Sequence, residues 1–287
     1  MARIVDLLAE GPSFSFEFGP PRDEEQEKRL TKTLIELEPL GPSFVSVTYG
    51  ALGTTRDTTT RIVDHIATST SMTVMPHLTC VAHRRADLEE IVTGYRDAGI
   101  ENLLCLGGDP PEDGDDLPTD FVYASELIEL AKGIGDFSTG VAAFPELHPR
   151  SPDLESDRRF LAAKLQQADF GITQFFFDAD HYFRMVDELA ALGVDTPVLP
   201  GVIAFVNVDQ LRRMAAINGA AIPADLDRRL DQVSGKPPEV RELAVEVCTD
   251  LGQRLLDGGA PGLHLYTLNF FRATTEIWNN LGLGDRR

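Results

Sequence analysis

The chain has 287 residues, 43% of them apolar, 25% charged and 8% aromatic, with 26 Lys and Arg against 46 Asp and Glu for a formal net charge of −20. This is the composition of a globular protein able to bury a sizeable core, and no apolar run approaches the roughly 20 residues that a bilayer-spanning helix requires. The acidic surplus argues against nucleic-acid partners and anionic membrane surfaces, both of which are held by Lys and Arg.

The first residues break at Glu10-Gly11-Pro12 before an apolar signal core can form, and Cys80, Cys105 and Cys248 show no pairing pattern, so a reducing, cytoplasmic setting is expected. Onward from there, short β-branched or aromatic runs alternate with longer amphipathic stretches. Strands are predicted at 13–18, 44–49, 73–77, 102–106, 140–144, 172–177, 198–203 and 262–266. Helices are predicted between them at 24–37, 57–67, 85–98, 125–134, 152–169 and 181–192. In the fifth helix the apolar stripe is Leu154, Phe160, Leu161 and Leu165, and Asp153 suits the positive end of the helix dipole. Two or three more helices, 210–216, 224–233 and 239–256, are broken at Pro223 and Pro237-Pro238, and a last one follows at 272–281. Eight strands, each followed by a helix, with no Pro/Gly/Ser-rich linker, predict an α/β protein: a single (β/α)8 TIM barrel over residues 1–287, with extra helices between strands seven and eight. The alternative is an open doubly wound sheet, but no GxGxxG follows a strand.

Chemistry in such a barrel gathers at the C-terminal strand ends. The first strand ends in SFEFGPPR (15–22), where Glu17 lies between two phenylalanines; apolar company favours an uncharged, proton-donating acid, although alternation also permits a Glu that faces solvent. Gly107-Gly108-Asp109 allows close backbone approach to a ligand, and a carboxylate there can grip an amidine-like ring edge through two hydrogen bonds. Gln174 is an amide among apolar neighbours and needs a partner from protein or ligand. The acid-rich run 109–116 lacks calcium-loop spacing and the six histidines form no zinc motif, so no metal is expected.

Together these strings resemble the methylenetetrahydrofolate reductase family. SFEFGPPR, FVSVTYGA (44–51), PHLTC (76–80), GGDPP (107–111), VAAFPELHP (141–149), ITQFFFD (172–178), PGV (200–202) and LYTLN (265–269) occur in the family's order, one per strand. The resemblance implies reduction of 5,10-methylenetetrahydrofolate to 5-methyltetrahydrofolate, with NADH as hydride donor and, in the family, FAD between them. It implies that Glu17 is the general acid and that Asp109, Gln174, Gln210 and Tyr266 contact folate. It further implies that Thr48 lies beside the nicotinamide, with Tyr49, Ala51, His77, Gly108, Ala124, Phe144, His148, Asp157 and Lys164 around the flavin or the ring that replaces it.

Several positions depart from the family pattern. Gly107 stands where relatives place Arg, Phe144 where they place Tyr, Phe160 and Ala163 where Asn and Arg would hold the FAD phosphates, and Phe270 where an Arg follows the YTLN string. The expectation is therefore direct hydride transfer from NADH, with the nicotinamide lying where the flavin ring would. Two alternatives remain: a flavoprotein in which Arg158 or Arg159 supplies the missing phosphate contacts, and a folate-binding barrel without catalysis.

Overall fold

The computed structural model describes residues 1–49, 56–108 and 119–285. Eight parallel strands, β1 (Ser13–Phe18), β2 (Phe44–Val47), β3 (Val74–Thr79), β4 (Asn102–Leu106), β5 (Ser138–Ala143), β6 (Phe170–Phe175), β7 (Val198–Ile203) and β8 (Gly262–Tyr266), close into a barrel in chain order. Helix α1 (Ile4–Glu10) precedes β1, and α2 (Glu24–Leu37), α3 (Arg56–Ser69), α4 (Arg85–Asp97), α5 (Ala124–Ile134), α6 (Leu154–Leu165) and α7 (Ala179–Ala191) follow β1 to β6 in turn. Three helices, α8 (Val208–Asn218), α9 (Ala224–Val233) and α10 (Pro237–Asp257), connect β7 to β8, and α11 (Phe271–Asn280) comes last. The predicted (β/α)8 barrel with its β7–β8 insertion is the observed fold.

Period-two alternation divides the apolar side chains into two cores. Ile4, Phe44, Met75, Leu104, Phe170, Ile172 and Leu199 fill the barrel's interior, while outward residues such as Phe14 and Phe16 join the larger core under the helices. Phe16 packs on Trp278 of α11, with ring centroids 5.1 Å apart. Gly140 leaves room for Phe170, whose ring a Cβ at that position would strike. The three cysteines are buried free thiols, and burial pushes Cys80 and Cys248 up to about 12. Among the described residues, no helix is long and apolar enough to cross a membrane.

Three departures from the predicted elements have identifiable causes. Helix α6 ends at Leu165 rather than 169, because Asp169 turns away to accept from the Thr139 backbone N–H (2.7 Å) and Oγ1 (2.9 Å) on β5. Phe160 is not part of its buried stripe; it is 65% exposed, and Asp157 and Arg158 occupy the inner face with Leu161 and Leu165. Helix α1 was not predicted, since seven residues carry too little periodicity and tertiary contacts hold it. Its first amides are capped from afar: Ile4 N–H donates to Asn102 Oδ1 (2.7 Å) and Val5 N–H to Ser138 Oγ (3.0 Å), which seats Ile4 in the lower end of the barrel.

Asn102 also donates from Nδ2 to the Ala2 carbonyl (2.9 Å) and is fully buried. Asn102→Ala strands buried backbone groups, so denaturant unfolding should show a loss of about 2–3 kcal/mol; a loss within ordinary surface scatter would show that α1 is not anchored there.

Candidate active site

Alternation along β1 turns Phe16 and Phe18 outward and Glu17 inward at the barrel mouth, so Glu17 does not face bulk solvent from the outer surface. Its company is not apolar either. Glu17 Oε2 lies 3.4 Å from His264 Nε2 and 3.6 Å from His77 Nε2. His264 is fully buried; its Nδ1 is 2.7 Å from Ser15 Oγ and its Nε2 is 3.4 Å from Ser46 Oγ. The Glu17 carbonyl accepts from Thr267 Oγ1 at 2.6 Å. Strands β3 and β8 thus bring an imidazole each to the β1 carboxylate, and β2 supplies Ser46 beside His264. His264, Ser15 and Ser46 were not foreseen, although the inward register of Gly262, His264 and Tyr266 along β8 was a usable signal.

Burial depresses the His77 imidazolium to about 4, against the attraction of Glu17, so the ring is neutral at neutral pH. Its Nε2 is buried with no hydrogen-bond partner. Tyr266 spans the mouth: its hydroxyl donates to the Thr173 carbonyl on β6 (2.6 Å), passing over Gly201 of β7, where any side chain would strike the tyrosine ring. Burial, with Glu17 nearby, raises its phenol well above the ordinary range.

A cleft of about 1270 Å³ opens beside these groups, between α2, α8 and the N-terminal ends of α10 and α11. That exceeds the roughly 300–1,000 Å³ typical of a pocket for one drug-sized ligand, giving room for two substrates. Glu17, Thr48, Tyr49, Gln210 and Tyr266 all line it, and Glu17 is the one carboxylate among its described lining residues. Tyr49 is oriented by His83, whose Nε2 is 3.0 Å from its hydroxyl. Gln174 is not on that wall, and its Oε1 accepts from Asn218 Nδ2 on α8 (3.3 Å), so a protein group meets its need for a partner.

The remaining predicted positions lie toward β4, β5 and α6. Gly108 has a left-handed φ of +85°, and a Cβ there would meet Val81; its carbonyl accepts from Arg150 Nη2 (3.3 Å). Ala124 is buried at the start of α5. The Phe144 ring meets His148 edge-on at 4.4 Å. Lys164 Nζ donates to the Ala142 carbonyl (2.6 Å), and burial lowers its ammonium to about 8 against the pull of Asp157. Ala51 and Asp109 lie outside the described residues.

Arg158 does not face solvent, where it could meet a phosphate. It is 3% exposed and donates to the carbonyls of Phe144 (3.2 Å), Pro145 (2.6 Å) and Glu146 (3.0 Å) while pairing with Asp157 and Glu188. Its guanidinium therefore holds the segment after β5 in shape. Arg159 is exposed and lies 3.6 Å from Glu155 along α6. Among the described residues, no group of three or more His, Cys, Asp or Glu could hold a metal ion.

Residues 2–282 match the family model described as methylenetetrahydrofolate reductase. The chain is 35% identical over 270 residues to the 5,10-methylenetetrahydrofolate reductase of Escherichia coli (strain K12), covering 94% of this chain and 90% of that protein. It is 32% identical over 299 residues to methylenetetrahydrofolate reductase (NADH) 1 of Arabidopsis thaliana, covering 99% of this chain and 50% of that protein. Among solved structures, a Clostridium thermocellum protein described as binding two copies of 5-methyl-5,6,7,8-tetrahydrofolic acid shares the fold, with a TM-score of 0.66 at 11% identity over 98% of both chains.

The neutral, buried His77 makes acid stability a test of the site. Between pH 6.5 and 4 the unfolded chain takes up a proton at this histidine that the folded chain refuses, so stability falls as pH drops through that window, by on the order of 3 kcal/mol, and levels off below it. Unfolding measured across this range should decline less steeply in His77→Gln; an unaltered slope would place the acid sensitivity elsewhere.

Proposed function

The chain belongs to the methylenetetrahydrofolate reductase family of oxidoreductases, and from that premise we propose that it reduces 5,10-methylenetetrahydrofolate to 5-methyltetrahydrofolate with NADH, using Glu17 as general acid. The observation that carries this reading is the position of Glu17: among the described residues the one carboxylate on the cleft wall, held over two imidazoles. The protonated Glu17 donates to N10 of the folate, and the bond from N10 to the methylene carbon breaks. This leaves an iminium between N5 and that carbon. A hydride with its electron pair moves from the nicotinamide to the methylene carbon, giving the 5-methyl group and NAD⁺, and Glu17 regains its proton from water. A well-placed acid of this kind contributes about 10²- to 10⁴-fold. The NADH in the name of the Arabidopsis relative supports that choice of donor.

The residues of α6 do not fit the phosphates of FAD. Phe160 and Ala163 stand where the family's Asn and Arg would be, Arg158 has its donors committed to backbone carbonyls and carboxylates, and Arg159 lies against Glu155. On this reading the hydride passes directly from the nicotinamide to the folate, and the nicotinamide takes the position of the flavin ring, along the cleft wall that carries Thr48 and Tyr49. Charge-assisted hydrogen bonds are worth about 1.5–3 kcal/mol each, so losing two such contacts weakens FAD retention by roughly two to four decades.

Two measurements test these assignments. Protein purified without added flavin should turn over folate and NADH and show no flavin absorption band in the visible; a stoichiometric band, or strict dependence on added FAD, overturns direct transfer. Glu17→Gln should lower kcat by about 10²- to 10⁴-fold while folate still binds, and undiminished turnover would remove Glu17 from the reaction.

A further inference from the structure

Glu17 has two carboxyl oxygens, and the barrel treats them differently. Oε2 faces the imidazoles, 3.4 Å from His264 Nε2 and 3.6 Å from His77 Nε2. Among the described residues no hydrogen bond reaches Oε1, and the side chain lines the cleft. A protonated carboxyl carries its hydrogen on one oxygen only, so a group that donates to Oε2 leaves Oε1 to hold the proton.

Whether His264 donates depends on its tautomer. The ring is fully buried, stacked on Phe44 with centroids 6.0 Å apart and edge-on to Tyr266 at 5.2 Å. A neutral imidazole has one N–H and one bare nitrogen. Nδ1 lies 2.7 Å from Ser15 Oγ, whereas the other acceptor in reach of that hydroxyl, the Leu263 carbonyl, is 3.5 Å away, at the far limit of a hydrogen bond. Ser15 therefore donates to Nδ1, which puts the ring proton on Nε2, facing Glu17 Oε2 and Ser46 Oγ at 3.4 Å each. The reverse tautomer would turn a bare nitrogen toward the ionised carboxylate and leave the Ser15 proton to the distant carbonyl. The titratable groups that face the ring are Glu17 from β1, His77 from β3 and Tyr266 from β8 itself.

Resting on the reading of Glu17 as the general acid, we propose that His264, its tautomer set by Ser15, is a positioning residue: its Nε2–H occupies Oε2, so that the transferable proton sits on Oε1 and points into the cleft at N10 of the folate. The same contact favours the transfer. While Glu17 is protonated, Oε2 is a neutral carbonyl oxygen. Once the proton has gone to N10 and the electron pair of the O–H bond stays on the carboxylate, Nε2–H to Oε2 becomes a charge-assisted hydrogen bond, roughly twice as strong. An interaction that grows on the way to the transition state accelerates the step instead of merely holding the substrate. The present 3.4 Å is a long hydrogen bond, of the kind that tightens when substrate is in place. No bond of His264 or Ser15 is made or broken, and the fully buried ring offers no route to water, so the proton that restores Glu17 arrives from the cleft.

Nitrogen NMR of the imidazole rings in isotopically labelled protein reads the tautomer directly, with the His264 signals assigned by their loss in His264→Gln. At neutral pH Nε2 should show the protonated shift and Nδ1 the bare one; the opposite pattern, or two protonated nitrogens, overturns the proposal. Ser15→Ala removes a single hydroxyl; it should mix the two tautomers and lower kcat by roughly twofold to tenfold, as expected for one neutral hydrogen bond, with KM for folate and NADH unchanged. His264→Phe keeps an aromatic ring in place and should lower kcat by roughly tenfold to a hundredfold, whereas His264→Gln retains an N–H near the Nε2 position and should recover most of that loss. Because Ser15 acts through His264, Ser15→Ala should bring no further loss in the His264→Phe background. A loss that falls on KM, equal kcat in the Phe and Gln variants, or additive effects at the two positions assigns both residues to packing and overturns the proposal. Undiminished turnover in Glu17→Gln would instead remove the acid itself, whatever the tautomer of His264.

Discussion

Closing eight parallel strands leaves an interior wide enough for side chains and nothing else, so every inward position must either pack or find a polar partner. In the lower half the solution is apolar: Phe44, Met75, Leu104, Phe170 and Leu199 meet below, with Ile4 pressed in from α1. In the upper half it is polar. Ser15, Ser46, His77, His264 and Glu17 come from four strands, and several of them answer to one another. A one-residue slip of β1 would exchange its inward and outward sets, putting Glu17 among the helices and a phenylalanine at the mouth. The acid thus exists as a functional group only through the register of the whole barrel.

This dependence explains what could be read from the chain beforehand. Strand and helix positions were legible because they rest on local periodicity, and Glu17 stood out as a charge between two phenylalanines. The imidazoles beneath it were harder to see, since Ser15 and His264 are 249 positions apart and meet only on closure. Arg158 was open to reading as a phosphate ligand, because a cation on an amphipathic helix gives no local sign of whether it faces in or out. Phe160 posed the converse problem: its apolar side chain suggested burial, but the inner face of α6 is taken by Asp157 and Arg158. Gln174 announced a need for a partner without revealing that Asn218 on α8 supplies it.

Net charge and local charge also part company here. An excess of 20 negative charges describes the average surface, yet among the described residues five arginines and one carboxylate line the cleft. An anionic substrate approaching this molecule crosses a repulsive exterior before reaching an attractive interior. Association and retention therefore respond to ionic strength in opposite senses: salt eases approach by screening the surface and weakens the hold once inside.

Tyr266 carries a consequence of a different kind. Its ring crosses above Gly201 and its hydroxyl is tied to the Thr173 carbonyl, so β8 is linked to β6 over the top of β7. The side chain has no rotamer left to lose when a ligand arrives, because its freedom was given up on folding. A floor assembled in advance lets ligand contacts appear as affinity instead of being consumed in ordering the protein. The glycine at 201, with no side chain of its own, makes that preorganisation possible.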